Sequence, residues 1–237
     1  MRVAVVTVGD ELLAGDTVNT NAAWLARELD RRGTRPERVV VVPDRVGDIA
    51  AEVNRLRAAN DAVVVTGGLG PTHDDVTLDG VAAALGVPVE PSEAAIAWYD
   101  EHSGYSHASL AEGTMDLPRG ARLLPNTVGV APGAVCTGDD GVPIYVLPGV
   151  PAEMEAMFES VADEFAGAPT ERVFVETSEP ESGLIDRFES LQARFDGVTV
   201  GSYPSPGHVR VKLEGEDPDV VHEAAAWLRE RVEATED

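Results

Sequence analysis

The 237-residue sequence contains one cysteine and one lysine, and only 5% of its residues are aromatic. The single Cys136 excludes a disulfide within the chain and a thiolate-based zinc site. With so few rings, the core has to be built from valine, alanine and leucine. The sequence also lacks a hydrophobic run as long as a membrane span and a signal-peptide pattern at its start. We therefore expect a cytoplasmic protein with no membrane partner.

Basic residues are scarce as well, since 18 Lys and Arg stand against 42 Asp and Glu, for a net charge of -24. The acidic residues are spread along the whole chain, which favours a carboxylate-covered surface over an acidic tail. No basic face is left for nucleic acid, so we expect no nucleic-acid partner. We hypothesise a halophilic protein, because high salt shortens the range of self-repulsion. Maximal stability in dilute buffer would contradict this hypothesis.

The first 168 residues alternate apolar strands with helical patterns. Continuous apolar runs at 3–8 and 62–65 are typical of parallel strands covered on both faces, and residues 38–42 indicate another strand between them. We predict a hairpin over 133–147 and helices at 22–29, 48–60, 78–85 with Thr77 as its cap, 93–101, and 152–165 with Pro151 at its start. This order predicts an α/β domain with three α/β/α layers and a mostly parallel sheet over residues 1–168. From 169 to 237 the order β-α-β-β-α predicts a small α+β domain.

A glycine-rich segment at 66–75 follows the third predicted strand. We expect its glycines to adopt left-handed backbone angles and to turn several N–H groups towards a phosphate. The candidate phosphate-binding residues are Gly67, Gly68, Leu69, Gly70, Thr72 and Thr77. No lysine follows the glycines, so the segment is not a Walker loop, and it does not match G-x-G-x-x-G. The alternative interpretation is an ordinary tight turn between a strand and a helix.

Two adjacent carboxylates, Asp74 and Asp75, stand beside the glycines. They would repel a phosphate unless a cation intervened, so we expect a divalent metal, Mg²⁺ or else Mn²⁺ or Co²⁺, held by these two residues. Their other interpretation is as helix N-terminal acids stabilised by the helix dipole.

Further polar residues follow other predicted strands, where open parallel sheets collect ligands. After the first strand we expect Thr7, Asp10 and Glu11 to face the same crevice as the glycine segment, with Glu11 or Asp10 as a candidate base. The candidate ligand-binding residues outside the glycine segment are Thr7, Gly9, Asp10, Asn19, Asn21, Asn126, Pro148, Gly149, Pro151 and Glu153. Helix capping is the alternative role for the two asparagines near the first strand, and a capped turn or a solvated charge for the two acids.

These motifs, in this order, resemble the N-terminal domain of the CinA family of competence- and damage-inducible proteins. More widely they resemble the molybdopterin-binding domains of MoaB, MogA and MoeA. The resemblance is carried by residues 9–13, 19–21, 66–77, 126–133 and 147–154. Residues 181–182 and 201–204 look like the small KH-like domain that follows in CinA proteins. Val130 departs from the family, which usually has threonine there. The C-terminal deamidase domain of bacterial CinA proteins is not matched, so we do not expect deamidase activity.

The resemblance implies a metal-dependent pyrophosphatase that acts on ADP-ribose-like nucleotides, with Asp75 preferred over Asp74 because only Asp75 matches the wider superfamily. It leaves open molybdopterin binding or adenylylation in molybdenum cofactor biosynthesis, and a non-catalytic nucleotide-binding module. The expected partner is therefore a small nucleotide or pterin phosphate. Relatives of this kind form dimers or trimers, so a homo-oligomer is expected. The KH-like region has no Gly-x-x-Gly clamp for RNA in residues 170–237.

Overall fold

A computed structural model describes residues 1–102, 110–168 and 170–233. The chain divides into two compact units, Met1–Gly167 and Ala168–Asp237. In the described residues the strands are β1 (Arg2–Val8), β2 (Arg35–Val42), β3 (Ala62–Gly67), β4 (Val89–Pro91), β5 (Asp116–Pro118), β6 (Arg122–Leu124), β7 (Gly133–Thr137), β8 (Pro143–Pro148), β9 (Glu171–Thr177), β10 (Thr199–Ser205) and β11 (His208–Gly215). The α-helices are α1 (Asp10–Ala14), α2 (Thr20–Arg31), α3 (Val46–Arg57), α4 (Thr77–Leu85), α5 (Glu93–His102), α6 (Pro151–Glu159), α7 (Ile185–Arg194) and α8 (Pro218–Arg229).

The first unit is built on a six-stranded sheet with the order β2-β1-β3-β8-β7-β6. Strands β2, β1, β3 and β8 are parallel, and β7 runs antiparallel to both of its neighbours. The chain leaves β1 on one side to form β2 and returns on the other side to form β3. The carboxyl ends of β1 and β3 therefore flank a topological switch point, the place where such sheets bind ligands.

Helices cover both faces of this sheet, which confirms the predicted three layers. One face packs β1 and β3 residues such as Val6 and Val65 against Ile49 of α3 and Val81 of α4. The other face packs Val5 and its neighbours against α2 and α6, whose inward side chains include Leu25, Met154 and Phe158. Cys136 is buried in the first of these cores, and burial raises the pKa of its thiol to about 12. The buried valine runs thus form the centre of the domain, as their continuous apolar pattern predicts.

The helix ends show which local predictions were right. Asn19 caps α2 by accepting a hydrogen bond from the Ala22 N–H (3.0 Å), and Pro151 lies in the first turn of α6. Thr77, in contrast, is not a cap: it is the first residue of α4, and its side chain makes no capping bond. The helix predicted over 152–165 ends at Glu159 and is followed by a 3-10 turn, Ala162–Phe165. The short α1 and the β4–β5 pair were not predicted, because elements of three to five residues have too few residues to show a period.

The second unit has the β-α-β-β-α order expected from the sequence. Its antiparallel sheet, ordered β10-β11-β9, packs one face against α7 and α8 around buried residues such as Val211, Leu191 and Leu228. Among the described residues, no helix has both the length and the apolar character required to cross a membrane.

Candidate active site

Two neighbouring pockets lie where the central strands end. The register places Thr7 of β1 beside Thr66 of β3, and Thr66 beside Leu147 of β8. The larger pocket, of about 570 Å³, is formed by the glycine segment, the start of α6 and two loops, and we call it the glycine pocket. The smaller one, of about 100 Å³, is formed by the ends of β1 and β3 and the start of α2, and we call it the asparagine pocket. Gly149 lines both.

The glycine pocket is lined by backbone, apolar side chains and two carboxylates. None of its lining residues in the described part of the chain is Lys, Arg or His; they are Gly67, Gly68, Leu69, Gly70, Pro71, Asp75, Leu110, Ala111, Thr114, Gly129, Val130, Ala131, Pro148, Gly149, Val150 and Glu153. Its volume falls in the range of small-molecule sites. Among these described lining residues, an anion would meet carboxylates and no side-chain cation.

The glycines of the segment are required for a reason other than the predicted one. None of Gly67, Gly68 and Gly70 has a left-handed φ, so the expectation of left-handed angles was wrong. A Cβ on Gly68 would lie 1.9 Å from Asp75 Oδ1, and one on Gly70 would lie 2.7 Å from Asp75 Oδ2. A Cβ on Gly67 would lie 2.3 Å from Thr77 Oγ1. The missing side chains therefore leave the space that the Asp75 carboxylate and the Thr77 hydroxyl occupy.

Thr72 joins the two predicted metal-binding carboxylates. Its hydroxyl lies 2.7 Å from Asp74 Oδ1 and is also in hydrogen-bonding contact with Asp75 Oδ2. A hydroxyl has one hydrogen and cannot donate to both acceptors at once. The hydrogen bond from Thr72 lowers the pKa of Asp74, so this exposed carboxyl stays ionised at neutral pH. The Thr72 backbone N–H also donates to Asp75 Oδ2 (3.2 Å), so Thr72 contacts this oxygen through both its N–H and its hydroxyl.

Thr77 is fully buried, yet its Oγ1 has no hydrogen-bond partner. Leaving a buried hydroxyl unpaired costs about 1–3 kcal/mol. The atom lies against Gly67, which lines the glycine pocket. The fold therefore keeps a polar atom directly behind the glycine segment at a cost in stability.

Glu153, at the start of α6, is the second carboxylate of the glycine pocket. The Asn126 amide donates to Glu153 Oε2 (2.6 Å) and to the Ala131 carbonyl (2.9 Å), while its Oδ1 accepts from the Val128 and Gly129 N–H groups. Asn126 is 4% exposed and does not line the pocket. It organises the loop and orients Glu153, so its hydrogen-bonding groups are not free for the ligand contact predicted for it.

The asparagine pocket collects the polar residues that follow β1. Asn19 Nδ2 donates to Thr7 Oγ1 (2.8 Å), and Asn21 Nδ2 donates to the Gly149 carbonyl (2.7 Å). Asn21 Oδ1 is buried and has no partner. The lining residues are Thr7, Val8, Glu11, Leu12, Thr17, Val18, Asn19, Thr20, Asn21, Thr66, Gly149 and Pro151.

The acids that follow β1 do not share the crevice of the glycine segment, contrary to expectation. Glu11 lines the asparagine pocket, and its carboxylate fills the space beside Gly9, where a Cβ would meet Oε1 at 2.5 Å. Asp10 is exposed and lines neither pocket; its backbone N–H donates to Asp44 (2.8 Å). Both residues lie in a short helix, α1, and neither lines the glycine pocket.

Sequence reasoning missed several residues of the glycine pocket. Leu110, Ala111 and Thr114 line it from a stretch that has no periodic pattern, and Val130 lines it from the loop that Asn126 organises. No local signal marks these positions, because they reach the pocket only through tertiary packing. Among the described residues, no group of three or more His, Cys, Asp or Glu forms a ready-made metal cluster.

Comparison with protein families gives two matches along the chain. Residues 4–167 match the family described as "Probable molybdopterin binding domain". Residues 170–236 match the family described as "FAD synthase, middle domain".

Individual relatives agree with the first of these matches. A protein of Archaeoglobus fulgidus is 35% identical over 97% of this chain and 97% of its own length. A CinA-like protein of Citrifermentans bemidjiense is 36% identical over 99% of this chain, which spans only 59% of that protein. Among solved structures, CinA of Thermoplasma acidophilum, titled as a protein of unknown function, is 36% identical with a TM-score of 0.64, over 70% of this chain and 99% of that one.

Proposed function

This chain belongs to the molybdopterin-binding-domain family and is CinA-like within it, and from that membership we propose that it hydrolyses the pyrophosphate of an ADP-ribose-like nucleotide. The phosphates would lie in the glycine pocket, and the reaction would require a divalent cation. The chain covers 97% of one relative but 59% of the CinA-like protein of Citrifermentans bemidjiense, so the proposal concerns only the chemistry of this pocket.

The observation that carries the proposal is the charge pattern of the glycine pocket. Its lining holds the carboxylates of Asp75 and Glu153, and no Lys, Arg or His in the described part of the chain. A phosphate cannot approach two carboxylates favourably unless a cation neutralises the repulsion. Mg²⁺ typically binds through one or two carboxylates and the phosphates of a substrate, and does not need a complete protein cage. The absence of a three-residue cluster among the described residues is therefore compatible with such a site.

The residues beside the glycines fit a divalent cation. Asp75, which lines the pocket, would hold it together with Asp74, which is exposed and does not line the pocket; one oxygen of each lies within hydrogen-bonding distance of the Thr72 hydroxyl, which can donate to only one of them. When bound, the cation would neutralise the phosphoryl oxygens in the transition state. The Thr77 hydroxyl is fully buried against Gly67 and does not line the pocket, so we assign it no contact with the phosphate.

Glu153 is a better candidate for the water-positioning carboxylate than Glu11 or Asp10. It lines the glycine pocket, whereas Glu11 lines the neighbouring pocket and Asp10 lines neither. Asn126 holds one of its oxygens at 2.6 Å, which leaves the other free to accept a proton from water. A positioned carboxylate of this kind typically contributes about 10²–10⁴-fold to a rate.

A second candidate function is binding or adenylylation of molybdopterin, which the description of the matched family favours. The same pocket would take the pterin phosphate, and the same cation would be required. The two functions differ in their products, since adenylylation transfers AMP to the pterin phosphate and hydrolysis transfers it to water. A non-catalytic nucleotide-binding module is the third candidate, in which ligand binding would survive the loss of Asp75.

Product analysis tests the proposal. The full chain is incubated at high salt with ADP-ribose and Mg²⁺, Mn²⁺ or Co²⁺, and nucleotides are separated by chromatography. We expect release of AMP and ribose 5-phosphate that stops on chelation of the metal. A parallel reaction with ATP and molybdopterin detects transfer of AMP to the pterin. No turnover of ADP-ribose with any of the three ions would overturn hydrolysis.

A further inference from the structure

The asparagine pocket is distinct from the glycine pocket, in which we place the phosphates, and it has polar groups of its own that could bind part of a ligand. It lies at the switch point between β1 and β3, lined by Thr7 from one strand and Thr66 from the other. Ligands of open parallel sheets bind at this position. The pocket meets the glycine pocket at Gly149, and Thr66 and Gly67, which are consecutive in β3, line one pocket each. A molecule with its phosphates in the glycine pocket would therefore reach the asparagine pocket with the group bonded next to them.

Asn21 is the key polar residue of this pocket. The Gly149 carbonyl can only accept, so the amide nitrogen of Asn21 must face it, and this fixes Oδ1 as the remaining atom of the amide. Oδ1 is buried and has no partner in the protein. The neighbouring polar side chains Asn19 and Thr7 are already engaged, since Asn19 bonds to both Thr7 and the Ala22 N–H. The pocket thus offers a buried acceptor, which calls for a ligand group that donates.

The rest of the lining identifies the kind of donor. The lining combines threonines at 7, 17, 20 and 66 with the apolar residues Val8, Leu12 and Val18. A sugar ring has both C–H faces and hydroxyl edges, and so matches a lining of this mixed type. Among the described residues that line it, Glu11 alone is charged, and it is exposed, so the buried part of this lining is neutral and suits a neutral donor better than a cation.

We propose that the asparagine pocket is the sugar subsite for the ribose adjacent to the phosphates of the bound nucleotide, and that Asn21 Oδ1 accepts a hydrogen bond from a ribose hydroxyl. The proposal rests on the proposed binding of a nucleotide in the glycine pocket, but not on its hydrolysis. It makes Asn21 a specificity-determining residue.

Calorimetric titration tests this subsite with ADP and 2′,3′-dideoxy-ADP, in Mg²⁺ and at high salt. The wild-type chain should bind ADP about fivefold more tightly, as expected for one buried neutral hydrogen bond. In Asn21→Ala the ratio of the two affinities should fall to about one, because the acceptor of that bond is gone. Asn21→Gln, which keeps the amide but displaces it, should lose the preference as well. Asn54→Ala, at an exposed helical asparagine of α3 outside both pockets, is the matched control and should keep the wild-type ratio.

Inorganic pyrophosphate serves as the probe for the glycine pocket alone. Its affinity should be the same for the wild type and Asn21→Ala. Equal binding of ADP and dideoxy-ADP by the wild type, or a preference that survives in Asn21→Ala, would overturn the subsite. An equal loss of pyrophosphate and ADP binding in the variant would also overturn it, by assigning Asn21 a purely structural role through Gly149.

If the wild type binds neither ADP nor pyrophosphate, the proposed function fails together with the subsite. If the wild type prefers ADP to dideoxy-ADP but does not cleave ADP-ribose, the sugar subsite is supported and only the proposed hydrolysis is overturned.

Discussion

The glycine pocket and the asparagine pocket are neighbours at one edge of the sheet, but they present opposite chemistry. The first presents the carboxylates of Asp75 and Glu153 beside bare backbone, and the second presents amides and hydroxyls around a buried acceptor. Carboxylates next to a phosphate require a cation, whereas a neutral acceptor suits a hydroxyl. On the proposed function, the two pockets divide one ligand into a charged part and a neutral part. Variants that change one pocket and not the other test this division.

The largest expected effect is in the glycine pocket, at Asp75. Asp75→Asn keeps the size of the side chain and removes its charge, so metal-dependent release of AMP from ADP-ribose should fall by at least about 100-fold. Asp79→Asn is the matched control: it is an exposed acid in the first turn of α4, the helix that begins two residues after Asp75, and it lines neither pocket. Chromatographic assay of AMP gives both rates. Equal rates for the two variants would remove Asp75 from the proposed chemistry.

Removal of the Asn126 amide, which donates a hydrogen bond to Glu153, should have the next largest effect, on stability as well as on rate. Asn126→Ala leaves the Gly129 N–H and the Glu153 carboxylate without their partner in a partly exposed loop. We expect the free energy of unfolding to fall by about 2 kcal/mol, for the loss of the several hydrogen bonds that the Asn126 side chain makes. Denaturant unfolding at high salt measures it. Full stability together with full activity would show that the loop does not depend on Asn126.

Much of the fold could be predicted from local patterns, whereas the contents of the pockets could not. The continuous apolar runs of β1 and β3 and the cap at Asn19 are local signals, and the structure has these elements where the patterns place them. The role of Gly68 depends on the carboxylate of Asp75, which lies seven residues away and is folded back onto it. Glu11 was assigned to the wrong pocket because the five-residue α1 has no periodic signature. Asn126 and Glu153 are 27 residues apart, and no spacing rule pairs them.

The glycine segment offers a smaller and more specific test of why its glycines are there. Gly68→Ala would put a methyl group 1.9 Å from Asp75 Oδ1, so the carboxylate must move. Pyrophosphate binding in Mg²⁺ should weaken about tenfold, as for the loss of one charge-assisted contact. Gly47→Ala is the control, because its Cβ would meet nothing within 4 Å and it lies in α3. That variant should bind pyrophosphate as the wild type does. If both variants bind normally, crowding by Asp75 is not what requires glycine at position 68.

The smallest expected effect concerns Thr72, and it separates Asp74 from Asp75. The Thr72 hydroxyl lowers the pKa of Asp74, which means that it stabilises the ionised carboxylate relative to the neutral acid. Thr72→Val keeps the shape of the side chain and removes the hydroxyl, so the pKa of Asp74 should rise towards its ordinary value. The wild-type carboxyl should therefore take up its proton at a lower pH than the variant does. A carboxyl-carbon NMR titration without metal measures both midpoints, with the exposed Asp79 as an internal reference. A midpoint for Asp74 that does not move would show that the hydroxyl donates to Asp75 instead, and would leave Asp75, the one of the two that lines the glycine pocket, as the carboxylate that Thr72 orients.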